Sequence, residues 1–189
     1  SVSALDDSYV GSGAGSLAVT SGSGAIGIAV AVNIVSESTN VLNETRGTEI
    51  IVTDSILATT DGVMALLAST DTVMVAVAIG AAAAKTGSFA GSAAVNNSGI
   101  GTRINVNTGS TITSGTNFSA EAFNTGAYTA IAGGLAISTS SSGGAGGAGI
   151  GINLIDAEVS VAFDGSMNVT GDAVLGASGQ QTLLVVALG

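Results

Sequence analysis

Large apolar side chains occupy alternate positions from Ile26 to Val32, interleaved with Gly27, Ala29, Ala31 and Asn33. A period of two predicts a pleated strand with its large residues on one face. Leu17 and Val19 repeat the pattern, as do Ile131, Leu135 and Ile137. Turn dipeptides punctuate these runs: Asp61-Gly62, Thr108-Gly109, Ser114-Gly115, Asp164-Gly165 and Gly171-Asp172. Ala81 to Ala84 has helical propensity, but its flanks, Val75 to Gly80 and Thr86 to Gly91, favour strand.

The strands recur in an ordered set. An alternating run ends in Asn at Ile26–Asn33, Phe89–Asn96 and Ile150–Asn153. A β-rich run then closes in a small turn before Ser, at Ile50–Ser55, Ile104–Ser110 and Val159–Ser166. A further turn leads into a strand carrying Ala68, Ala122 or Ala177, and an Ala/Val run follows near Val75–Ala84 and Ala130–Ile137. This divides the chain, read as a single β-repeat domain over 1–189, into repeats at about 5–68, 69–122 and 123–177. The period of roughly 55–65 residues suggests that each repeat holds two or three coils of a solenoid. The first repeat has an insertion at Ser36 to Gly47, and the third a Ser/Gly tract at Ser138 to Gly149 that reads as a turn. Val2-Ser-Ala4 is in phase with Ala68, and Leu183 to Gly189 begins another Ala/Val run. The expectation is therefore a stretch of a longer array, the alternative being a complete domain whose terminal strands pair with a neighbour.

Short, regularly punctuated strands suit either a solenoid or a sandwich. A sandwich core draws on larger, often aromatic residues, whereas a parallel β-helix manages with stacked Val, Ile and Ala, because each coil buries the same positions against the next. The reading is all-β: a right-handed parallel β-helix of about three repeats, with an antiparallel β-sandwich as the alternative. Asn33, Asn96 and Asn153 then either form side-chain ladders at turns or simply end their strands.

Composition narrows the function classes. The 189 residues include 29 Gly, no Pro, Cys, Trp or His, and only 3 % aromatics. Thirteen carboxylates face three cations, Arg46, Lys85 and Arg103, for a net charge of −10, which argues against a nucleic-acid partner. The longest apolar run, Val73 to Ala84, is about half of the ~20 residues a membrane-spanning helix needs. With no His a Ser–His pair is excluded, a Ser–Lys pair would need Lys85, the single lysine, beside a positioned serine, and zinc lacks its usual ligands. No catalytic residue, cofactor or metal site is expected. The glycine tract Gly143 to Gly149 lacks the Lys-Ser/Thr of a phosphate loop and the Asp of a calcium-binding repeat.

The run Ala25–Asn33, a following Thr/Ser-rich strand, a Gly turn and an Ala-Ser element such as Leu67-Ala68-Ser69 resemble the repeats of leukotoxin-like and filamentous-haemagglutinin-like bacterial exoproteins. The likeness spans about three copies and nearly the whole chain. It implies a parallel β-helical shaft, export to the cell surface or the medium, and a part in adhesion or host-cell contact. It carries over no catalytic residues.

The expected function is therefore a structural shaft segment of a secreted or cell-surface bacterial adhesin, not an enzyme, that presents loops for contact. The alternative is a subunit of an extracellular filament that exchanges strands between neighbours through Leu183 to Leu188. Expected partners are other segments of the same chain, identical subunits or a host surface receptor. The candidate contact loop is the charged cluster Glu37, Glu44, Arg46 and Glu49, an outlier in a chain with 8 % charged residues.

Overall fold

The computed structural model describes residues 1–36 and 47–189. These form only strands and turns, and every strand pairing is parallel. The first coil comprises β1 (Val2–Val19), β2 (Ala25–Ser36), β3 (Gly47–Val52) and β4 (Ile56–Thr59). The second comprises β5 (Met64–Ala84), β6 (Gly87–Val106) and β7 (Thr111–Ser114). The third comprises β8 (Phe118–Ser138), β9 (Gly144–Phe163) and β10 (Ser166–Val169), and β11 (Ala173–Leu188) follows. Successive coils stack into three sheets: β1-β5-β8-β11, then β2 and β3 with β6 and β9, then β4-β7-β10. The protein is a parallel β-solenoid. The antiparallel sandwich is excluded by the pairing directions, although the first two sheets do pack face to face.

One sequence repeat is one coil, not two or three. The reason is strand length: β5, β6, β8 and β9 each run 20 or 21 residues, against a usual ~5–6. Two such strands, running out and back, use up most of a period. The register is strict. Ala4, Ala68, Ala122 and Ala177 occupy one column across the first sheet, and Asn33, Asn96 and Asn153 occupy one column across the second. Insertions sit between columns. Ser36 pairs with Gly99 and Gly47 with Gly101, so ten residues of the first coil stand where the second has Ile100 alone.

Each coil is a wedge in cross-section. At its wide end the short third sheet closes the gap between the two long ones over Ile50, Leu66, Ile104, Ile112 and Phe118, with Phe163 edge-on to Phe118 at 6.1 Å. Toward the other end the inner faces shrink to Ala29, Ala31, Ala76, Ala78, Ala94, Ala130 and Ala132. Near the tip even a methyl group is excluded. A Cβ on Gly80 would lie 2.3 Å from the Gly91 carbonyl oxygen, and one on Gly134 would lie 2.4 Å from that of Ala90. The two sheets therefore approach far more closely here than the ~10 Å usual for stacked sheets. We call this distal half the blade.

This geometry reverses the face expected for the large residues. Gly27, Ala29, Ala31 and Asn33 point inward, and Ile26, Ile28, Val30 and Val32 point out. Small side chains must take the inner face because two sheets folded back on each other leave no volume for branched ones. The Ser/Gly tract is corrected for the same reason. Only residues 139–143 connect the strands, and Gly144 onward is β9, where Gly147 faces the Gly134 carbonyl oxygen across the narrow gap.

A core of alanine and glycine buries little apolar surface per position, so polar pairing matters more here than in a thick core. The Asn column forms a ladder, placed mid-strand and inward rather than at a turn. Asn33 Nδ2 donates to Asn96 Oδ1 and Asn96 Nδ2 to Asn153 Oδ1, both at 2.9 Å. The amides also donate to the facing sheet, Asn33 to the Val75 carbonyl, Asn96 to that of Thr129 and Asn153 to those of Tyr128 and Leu184. Closer to the wide end a second polar chain zigzags between the sheets. Thr70 Oγ1 donates to Thr48 Oγ1, Thr102 Oγ1 to Thr70 Oγ1, Asn124 Nδ2 to Thr102 Oγ1 and Gln181 Nε2 to Asn124 Oδ1. Buried amides and hydroxyls that satisfy one another in sequence penalise any slip of one coil against the next.

Candidate interaction surfaces

Of the expected contact residues, Glu37, Glu44 and Arg46 lie outside the described residues. Glu49 lies on β3, on the outer face of the second sheet at the wide end of the wedge. Its Oε1 accepts a 2.7 Å hydrogen bond from Asn105 Nδ2, and its register partner on β6 is Arg103. Arg103 Nη2 in turn donates to Glu158 Oε2 on β9 at 2.8 Å. That hydrogen bond, and then the guanidinium charge, hold the Glu158 carboxyl below its ordinary 4.5, against a smaller opposing effect of desolvation. The parallel register thus gathers Glu49, Arg103, Asn105 and Glu158 from three coils into one polar row. Sequence spacing alone did not connect them, because partners in the row are more than fifty residues apart.

Beside this row the first coil opens onto a groove of about 720 Å³ between β1 and the β2–β3 edge. Asp6, Ser8, Thr48 and Glu49 supply its polar atoms, and Val10 and Ile100 part of its apolar wall. These groups can accept and donate hydrogen bonds. They offer no nucleophile paired with a base, and among the described residues no three His, Cys, Asp or Glu side chains converge as metal ligands.

The most extensive surface feature is apolar. Both outer faces of the blade carry it: on the first sheet Leu17, Val19, Ile79, Leu135 and Ile137 are exposed, and on the second β2 exposes Ile26, Ile28, Val30, Val32 and Ile34, each 47–68 % accessible. Two strands away, β9 exposes Ile150, Ile152 and Leu154. Between them β6 presents Ala93 and the ring of Phe89, which lies over Gly91 with Cε1 3.4 Å from where a Cβ on that glycine would stand. No charge interrupts this face. The stretches that build the blade, residues 8–35, 72–102 and 122–155, contain a single charged residue, Lys85, and it sits at the tip. Those charge-free stretches were the sequence signal for the surface. The alternation alone placed the same residues in a core.

No family model, no curated protein and no solved structure matches the chain. Among the described residues no helix is long and apolar enough to cross a membrane.

Proposed function

We propose that this chain is a structural shaft segment of a secreted or cell-surface bacterial protein of the leukotoxin-like or filamentous-haemagglutinin-like kind. It acts by holding loops at a fixed spacing and not by catalysis. The observation that carries the reading is the uninterrupted stacking of coils through two internal polar chains, which gives a stiff rod extensible by one strand spacing per repeat. The absence of His and Cys from the sequence supports a role without imidazole or thiol chemistry. A hydrolase or lyase activity lost on Arg103→Ala would overturn that part.

The rod is tested by length. Inserting further copies of residues 64–117 is expected to lengthen the particle by about 4.8 Å per copy in small-angle scattering, at constant cross-section. A particle that grows in all dimensions sinks the reading.

The shaft reading assigns host or cell contact to the insertion that contains Glu37, Glu44 and Arg46. Because Ser36 and Gly47 pair with Gly99 and Gly101, replacing residues 37–46 by one isoleucine continues the strand as in β6. The expected result is an unchanged or slightly raised Tm with loss of binding to host cells. Full binding by the shortened chain removes the insertion from the contact surface.

A further inference from the structure

We propose that the outer apolar face of β2, β6 and β9 is a homotypic interface, on which a second copy of this chain docks face to face with its strands antiparallel. The proposal concerns lateral pairing and holds whether or not the chain presents a receptor-binding loop.

Area is the first argument. The exposed Ile, Val, Leu and Phe side chains of β2, β6 and β9 together offer on the order of 800 Å², about what each partner buries in a standard interface. The largest apolar patch on a typical monomer is only ~300–600 Å². Charge is the second. A partner recognised by salt bridges finds no counter-charge on this face, whereas a second copy brings the same charge-free surface and loses no ionic solvation on docking.

The charge pattern also selects the orientation. In a parallel pair the acidic wide ends would lie side by side in a chain of net charge −10. A two-fold axis along the stacking direction, over the register row Val30–Ala93–Ile150, instead points the wide ends apart. That row is the middle of the apolar patch. The rotation places Ile26 of one copy opposite Ile34 of the other and sets Ala93 against its own counterpart. It also brings the tip, with exposed Lys85, level with the outer carboxylates of the partner copy. Lys85 and Gly101 are equally far from Ala93 on opposite sides, and Gly99 and Gly101 pair with Asp156 and Glu158. The one cation of the blade thus comes level with Asp156 and Glu158 of the other copy, the latter already paired with Arg103.

The test uses sedimentation of the whole chain and single-cysteine crosslinking, since the chain has no cysteine of its own. The wild type is expected to dimerise. Val30→Asp, at a 57 % accessible position that the fold does not need, is expected to weaken the dimer at least tenfold. With a short bis-maleimide, Ala93→Cys should crosslink to itself. Ile26→Cys should crosslink to Ile34→Cys in a mixture and not to itself. A wild type that stays monomeric up to its solubility limit overturns the proposal. So does Ile26→Cys linking to itself as readily as to Ile34→Cys, or uptake of the chain onto lipid vesicles without self-association.

Discussion

Asn96→Asp is expected to cost about 4 kcal/mol or more at pH 7 and far less at pH 4, measured by urea unfolding at each pH. Asn96 is fully buried at the centre of the ladder. It accepts from Asn33 and donates to Asn153 Oδ1 and to the Thr129 carbonyl. An aspartate keeps the acceptor and removes both donors. Two acceptor oxygens then face a carboxylate across distances set for hydrogen bonds. Burial beside them raises the folded-state pKa above the ordinary ~3.9. Below that value both folded and unfolded chains are protonated, and the acid can still donate one hydrogen bond. As the pH rises through it, the unfolded chain ionises freely and the folded chain does not, so the loss grows toward neutrality. Asn96→Ala removes the same donors without the charge and is expected to cost about 3 kcal/mol at both values. Equal losses for Asn96→Asp at pH 4 and pH 7 would show that the ladder site is wet.

The column of this ladder was legible in the sequence. Asn33, Asn96 and Asn153 end equivalent runs, and the structure pairs them in register. Ala4, Ala68, Ala122 and Ala177 behave likewise. Small slips came where turns differ in length: Ser166 follows a shorter turn than Ser110 and pairs with Thr111. What the sequence could not decide was which face of an alternating strand is inside. Alternation marks two faces, and the habit of placing Ile and Val in the core chose the wrong one for the blade. The contrary signal was the company kept by the small residues. Gly27, Ala29, Ala31 and the buried amide of Asn33 share one parity, and a face that bears both glycine and a ladder amide packs against another backbone. Coil length is hidden for a related reason: β5 runs from Met64 to Ala84 without a turn dipeptide, and a strand of that length fills a repeat that ordinary short strands would divide into several coils. Of the contact cluster, Glu49 was legible as a charge outlier, while its row with Arg103, Asn105 and Glu158 exists only through the register.

The closeness of the two sheets makes the second large prediction, and it is one of coupling as well as magnitude. Gly134→Ala is expected to destabilise by about 3 kcal/mol, the upper end for overpacking, because the new methyl meets the Ala90 carbonyl oxygen and the Ala148 backbone and neither can rotate away. Gly80→Ala should cost a similar amount, against the Gly91 and Gly27 carbonyls. Gly80 and Gly134 are register neighbours, so either methyl forces the same local parting of the sheets. Once they have parted for one, the second fits into space already opened. The double substitution is therefore expected to cost clearly less than the two single losses combined, the signature of a shared displacement. Gly13→Val is the contrast. A Cβ there meets nothing within 4 Å, and the position points outward from the edge strand β1. Its effect should stay within ~0.5 kcal/mol. Thermal or urea unfolding of the four variants decides the matter. If Gly13→Val costs as much as Gly134→Ala, glycine serves these strands through backbone freedom alone. If the double variant is strictly additive, the sheets accommodate each methyl locally, and the blade is softer than a pair of backbones in contact.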